Sequence, residues 1–321
     1  MNDLFPVESS SRIDVGRFKI ARCERIPMFE VAVPHNATIG ATDTQLLRAI
    51  EGDGSTIVEV TSREFPRELN PADLVLLELE QANAEVVAKR VTDLQGVKQL
   101  DVLFVNNRGG LSRRRTYSLG CLVFEITVSG TRDWFSQEAD AVFLMLSSFK
   151  LIDTVAKQPE KLETYKPTSN VPIEFQYINS WRPVTNTGHS KIQTYELVNN
   201  YYDATIGRIC LLIVAARDGE RLNLIEEYRA SLVSAGYDVS GAPVVPRVHT
   251  EGMRQLSYDP VTHVDGTRLE SPTLLFEYPD ATVLLGLIGS DRNHSPVWWA
   301  INKRAFEVVR DSLRVGAARQ S

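Results

Sequence analysis

The stretch "DWFSQEADAVFLMLSSFKLI", Asp133 to Ile152, has an echo about 164 residues later in "VWWAINKRAFEVVRDSLRV", Val297 to Val315. Both open near an aromatic pair, Trp134-Phe135 and Trp298-Trp299, and both end apolar-basic-apolar, Phe149-Lys150-Leu151 and Leu313-Arg314-Val315. In the first, Phe135, Ala139, Val142, Leu146 and Phe149 fall on one face of a helix. A domain-closing helix in mid-chain and again at the end predicts a chain built twice.

The segments before each helix repeat in the same order. In the first half, "FEVAVPHNATI" and "STIVEVTSREF" alternate as half-buried strands do, Val58 and Val60 on one side and Ile57 and Glu59 on the other. "NPADLVLLELEQANAEVVAKRV" then reads as one helix, with Asn70 as N-cap, Pro71 at its first position and Lys89-Arg90 in its last turn. Strand candidates "LDVLFVNN" and "RTYSLGCLVFEITVSG" follow, separated by a turn at Gly109-Gly110. The second half answers with strands in "IEFQYINSW" and "GRICLLIVAARDG", a helix in "LNLIEEYRASLVSAGY" ending at Gly236, and strands in "GMRQLSYDPV" and "ESPTLLFEYPDATVLLGLIG". Matched pieces lie at offsets that drift upward from about 145 to about 164, as loop insertions would make them do.

The expected architecture is α+β: two tandem domains, 15–152 and 172–315, each a mainly antiparallel sheet packed with helices. The polar segment between them, 153–171, reads as a linker. Short connections force antiparallel neighbours, and such a sheet can carry helices on one face and leave the other open to a partner.

With 321 residues, 43% hydrophobic and 24% charged, the chain has the composition of a globular protein with room for two cores. A net charge of −6 gives no overall pull toward nucleic acid or anionic lipid, so neither is an expected partner. The first residues lack the pattern of a secretory signal and no apolar run reaches about 18 residues, so a cytoplasmic protein without membrane insertion is expected. Cys23, Cys121 and Cys210 are widely spaced in apolar surroundings and read as buried thiols.

Within this frame the second half resembles the PsbP and DcrB-like superfamily of α/β sandwiches. The likeness rests on the opening "IEFQYINSWRPV", with Trp181 after a strand, and on the closing "VVRDSLRV". The first half keeps the closing element, "MLSSFKLI", but opens on "FEVAVPHNAT", with Asn36 near where the tryptophan would align. The resemblance implies an α/β sandwich in each half. Cytosolic bacterial members include the Eag-type chaperones of type VI secretion effectors, which pair to cradle apolar segments. A tandem chain would then be an intramolecular pseudo-dimer.

Motifs for chemistry are scarce. The chain has no G-x-G-x-x-G, P-loop, G-x-S-x-G or H-E-x-x-H, which leads to an expectation of no enzyme activity and no cofactor. His249 and His263, flanked by Glu251 and Asp265, are the nearest approach to a metal pair, and "EGDG", Glu51 to Gly54, reads as a turn.

Candidate partner contacts are of three kinds. Arg113, Arg114 and Arg115 offer guanidinium groups to a carboxylate or phosphate, or else belong to a solvated loop entering a strand. Phe143 and Leu144 add apolar surface outside the stripe of the first closing helix, for a domain interface or a partner. Tyr201 and Tyr202, after two asparagines in a stretch that reads as a loop, are candidate adaptable contact residues, or else one packed ring and one surface hydroxyl; Trp181, Val283 and Leu285 would line the open face if the chain itself does not cover it. The resulting expectation is a protein-binding module, a chaperone or adaptor shielding apolar segments of a secreted effector. A small-ligand protein or enzyme with a pocket between the domains, and a structural module of a larger assembly, are the alternatives.

Overall fold

Strand alternation dictates most of the backbone. A computed structural model describes residues 15–23, 27–42, 44–52, 54, 56–94, 97–153, 159–167, 171–186, 192–215, 224–239, 247–250 and 253–316. The chain divides into two units, Met1–Pro159 and Glu160–Ser321. The division falls inside the stretch read as a linker, part of which, Leu162–Tyr165, is a strand of the second unit.

The first unit contains β1 (Phe18–Cys23), β2 (Met28–Pro34), β3 (Thr38–Gly40), β4 (Leu47–Ile50), β5 (Ile57–Glu64), α1 (Pro71–Gln81), β6 (Val86–Leu94) and β7 (Val97–Val105). It closes with β8 (Leu111–Leu119), β9 (Leu122–Gly130), α2 (Arg132–Gln137), α3 (Ala139–Ser147) and β10 (Lys150–Asp153). A seven-stranded sheet runs in the order β3-β4-β5-β9-β8-β7-β6, and a three-stranded sheet in the order β1-β2-β10.

The second unit repeats this almost strand for strand. It contains β11 (Leu162–Tyr165), β12 (Ile173–Ile178), β13 (Arg182–Asn186), β14 (Ile192–Tyr201), β15 (Ala204–Ala215), α4 (Leu224–Ser234) and β16 (Tyr237–Asp238). Then follow β17 (Arg247–Thr250), β18 (Met253–His263), β19 (Arg268–Glu277), β20 (Ala281–Ser290), α5 (Pro296–Ser312) and β21 (Arg314–Val315). The main sheet runs β13-β14-β15-β20-β19-β18-β16, with β17 added beside β18, and the small sheet runs β11-β12-β21. Substituting β3 by β13, β5 by β15, β9 by β20 and so on converts one order into the other. The architecture is therefore α+β, two tandem domains of similar antiparallel sheets with few helices, as the repeat predicted.

Among the described residues, the strands that are apolar on both sides are covered on both faces, so they do not form the open apolar face the sequence suggested. In the first unit Phe124, Ile126 and Val128 of β9 pack with Phe29, Val31, Val142 and Leu146, while Leu100, Val102 and Phe104 of β7 pack under Val75 and Leu79 of α1. In the second unit Val283, Leu285 and Leu287 of β20 join the core under α5 and β12. The alternate residues Leu284 and Ile288 join the core with Tyr228 and Leu232 of α4. An antiparallel strand apolar on both faces needs cover on both, and this chain supplies it.

Four local readings are corrected. The helix from Asn70 stops at Gln81, since Asn83 takes φ 51°, a left-handed conformation that asparagine tolerates and that ends helices. The following Val86, Val87 and Val91 are β-branched, so Lys89 and Arg90 lie on β6 and not in a last helical turn. The first closing helix is two, α2 and α3, broken at Glu138, whose carboxylate pairs with Arg17 at 3.0 Å; Phe149 lies beyond it, among Phe29, Tyr117 and Phe124. Strand β14 occupies what read as a loop before Tyr201. Cys23 and Cys210 are buried, but Cys121, in the β8/β9 turn, is only half-buried. Burial raises the Cys210 thiol to about 12, so it stays protonated.

Asn302 of α5 binds the helix to the main sheet from within. Its Nδ2 donates to the Ile206 carbonyl at 2.9 Å, and its Oδ1 accepts from Asn199 Nδ2 at 3.3 Å. Gly207 makes room for it, since a Cβ there would run into the Asn302 amide. Gly207→Ala should therefore destabilise the second unit by about 1 to 3 kcal/mol. Urea unfolding followed by tryptophan fluorescence reads this out, and an unchanged midpoint would show that Asn302 moves aside without cost.

Candidate functional site

The β14/β15 hairpin and the start of α5 bring three aromatic rings together at one end of the second unit. Tyr201 ends β14 opposite Ala204, leaving Tyr202 and Asp203 as the turn. Tyr202 is 87% exposed and has φ 51°. A non-glycine residue in this region is uncommon, and a bulky one is strained by an amount on the order of 1 kcal/mol. Glycine or asparagine would form the turn more easily, so the tyrosine's presence there calls for a role outside the turn. Its ring meets Tyr201 edge-on at 4.6 Å between centroids, and Tyr201 meets Trp298 at 4.9 Å.

The helix start beneath these rings is held rigidly. Asp291 Oδ1 accepts from the Asn293 amide at 2.8 Å and from His294 Nδ1 at 3.0 Å. Burial alone would raise this carboxyl; the hydrogen bonds from His294 and Asn293 outweigh it and keep it below the usual range. The buried Glu270 accepts from Arg292 Nε at 2.6 Å and from Trp299 Nε1 at 3.0 Å. Arg292 and Lys303 both lie over the Trp299 ring, at 5.4 and 5.0 Å. Together with Asn302 on Ile206, these contacts fix the helix start against the hairpin, and so fix Trp298 against Tyr201.

The other sequence candidates lie elsewhere. Trp181, Val283 and Leu285 are core residues, exposed by 2%, 0% and 0%, and they present nothing to a partner. The arginine run sits inside β8, not in a loop. Arg113 and Arg115 both bind Asp101, through Nε at 2.8 Å and Nη2 at 2.7 Å, and Arg114 Nη1 lies 3.0 Å from Glu125. A phosphate would have to displace the chain's own carboxylates. Phe143 is half-buried beneath Arg113 and Arg115, which lie 6.0 and 5.5 Å from its ring, so its excess apolar surface is partly met within the unit. Leu144 beside it is also half-buried.

Of the proposed metal pair, His263 is within 3.0 Å of Asp265 and packs on Tyr237, whereas the side chains of His249 and Glu251 lie outside the described residues. No cluster of three or more metal-ligating side chains occurs among the described residues. Glu51 and Gly54 form a hairpin turn, the Gly54 amide donating to the Glu51 carbonyl at 2.8 Å; Asp53 lies outside the described residues.

Sequence reasoning missed Trp298 as a member of the site. It stands far from Tyr201 in the chain, and only the antiparallel neighbourhood of β15 and β20, with α5 following β20, brings the two together.

Comparisons with known proteins give the fold a context. No family model matches the chain, and no curated protein matches it. Among solved structures, the chain is similar to cyanobacterial PsbP (CyanoP) from Synechocystis at 13% identity and TM-score 0.34, over 46% of this chain and 100% of that one. It is also similar to the type VI secretion immunity protein TplEi from Pseudomonas aeruginosa, at 11% identity and TM-score 0.23, over 87% of this chain and 97% of that one. The Tle4-Tli4 complex gives 12% identity, the same coverage and a TM-score of 0.23.

Asp101 generates a stability prediction. Burial alone would raise its carboxyl, but Arg113 and then Arg115 outweigh that and hold it below the usual carboxylate range. Asp101→Asn removes the carboxylate charge that Arg113 and Arg115 share and should cost about 3 to 5 kcal/mol at pH 7. The stabilisation is complete above the unfolded value of about 4 and is lost as pH falls through the lowered folded value. The gap between wild type and variant in urea should therefore narrow as pH drops below about 4. A gap independent of pH would assign the loss to packing and not to charge.

Proposed function

We propose that this chain is a non-enzymatic protein-binding module, and that its second unit engages the partner through Tyr201, Tyr202 and Trp298. The observation that carries this reading is the strained, almost fully exposed Tyr202 packed edge-on at the end of a ring series whose base is held rigidly. Tyrosine and tryptophan bury large areas at small entropic cost, and they dominate the energetics of protein interfaces. A rigid platform adds to this because little ordering remains to be done on binding.

The narrower reading, a cytoplasmic chaperone or adaptor for an effector, takes a different form from that suggested by the sequence. With both sheet faces covered, the client's apolar segment would sit on the aromatic platform and not in an open sheet groove. Such a site suits one or two anchoring side chains better than a long hydrophobic segment. Among the described residues no helix is long and apolar enough to cross a membrane.

The test is quantitative co-purification from the native source with wild type, Tyr202→Ala, Trp298→Ala and a control, Val233→Ala, which alters an exposed valine on α4. One stoichiometric protein should be held by wild type and control and weakened at least about tenfold by either aromatic variant, the loss expected of a residue contributing about 1.4 kcal/mol. Equal retention by all four would remove the platform from the interface.

A further inference from the structure

The corresponding end of the first unit is built differently. There the β4/β5 hairpin closes on Ile50 opposite Ile57, with Glu51 and Gly54 in its turn, where the β14/β15 hairpin closes on Tyr201 opposite Ala204, with Tyr202 in its turn. In place of clustered rings, the first unit has a cavity of about 380 Å³ between that hairpin, the β7/β8 turn and the residues that follow β9. Ile57 provides an apolar wall, and among the described residues Arg108, Arg132 and Asp133 are the charged groups that line it.

Arg108 is presented by a turn that is already satisfied, and Arg132 by the start of α2. Asn106 Oδ1 accepts from the amides of Arg108 and Gly110, at 3.0 and 3.1 Å, while Nδ2 donates to the Leu111 carbonyl at 3.2 Å. Gly110 is required there because a Cβ would strike the Gly130 carbonyl, so two backbones touch at the cavity floor. Arg132 Nε donates to the Gly109 carbonyl at 3.3 Å, which anchors this second guanidinium one residue from Arg108. Neither arginine is ion-paired among the described residues, in contrast to Arg113, Arg114 and Arg115, all of which are.

We propose that this cavity is a binding site for a small monocarboxylate, its oxygens held between Arg108 and Arg132 and its apolar body against Ile57. Two guanidiniums recognise a carboxylate through parallel charge-assisted hydrogen bonds. Asp133 sets the charge preference: two positive groups against one negative leave a lining of net +1 among the described residues, which suits one carboxylate better than a phosphate dianion. The volume lies at the small end of the range for small-molecule pockets, matching a ligand of amino-acid or dipeptide size. The first unit thus takes a small anion at the place where the second presents aromatic rings.

The probe is N-acetylglycine, titrated into the full-length protein labelled at arginine Nε, with side-chain NMR shifts as readout and sodium chloride matching the ionic strength. Saturable shifts of a small number of arginine signals are expected, with a Kd on the order of 1 mM. Arg108→Ala and Arg132→Ala should each weaken binding at least about fivefold, and inorganic phosphate at pH 7.5 should bind more weakly than the carboxylate. Both arginines are on the surface, and an unchanged thermal midpoint for each variant confirms that folding is intact. Absence of saturation, saturation untouched by either variant, or tighter binding of phosphate would overturn the assignment.

Discussion

The rest of the structure depends on the need to cover both faces of a central antiparallel strand. In the second unit Val283, Leu285 and Leu287 of β20 point one way while Leu284 and Ile288 point the other, and all are buried. Leaving either set in water would forfeit about 25 cal/mol for each Å² of apolar surface. One face therefore recruits α4, and the other recruits α5 with a strand of the small sheet. The first unit meets the same demand with α1 on one side and α3 with β2 on the other. With these faces occupied, the proposed contacts fall at the sheet ends, where hairpin tips and helix starts meet.

Charge is handled by the same economy. The arginine run of β8 lies inside the main sheet, and its three guanidiniums are ion-paired with Asp101 and Glu125 of the same unit. Buried charges of this kind contribute more to fixing geometry than to net stability. The proposed carboxylate site draws instead on Arg108, in the β7/β8 turn, and on Arg132, at the start of α2, whose Nε donates to the Gly109 carbonyl.

Much of the architecture was legible in the sequence because duplication leaves a period that composition cannot imitate. Alternation marked Val58 and Val60, and a strand apolar on both faces announced itself from Val283 onward. The helix after Asn70 was overrun because "AEVVAKRV" keeps apolar residues at a helical spacing, and only the left-handed Asn83 separates helix from strand. The site was half legible. Two adjacent tyrosines stand out in any reading, but their pairing with Trp298 depends on which strands are neighbours. Arg113 to Arg115 drew notice as a cluster, yet strand alternation and cross-strand carboxylates, both invisible in a three-residue run, decide what they do.

The account's central claim, that the sheet faces are closed and the ends are where the protein meets its ligands, is tested most directly by hydroxyl-radical footprinting of the native protein. Tyr202 should be oxidised rapidly and Trp298 appreciably, while Trp181 and Phe175, both buried under the second sheet's cover, should react at least about tenfold more slowly than their intrinsic reactivity. Rapid oxidation of Trp181 in the folded protein would contradict the account, because it would mean that the face beneath α5 opens to solvent and remains available as a groove.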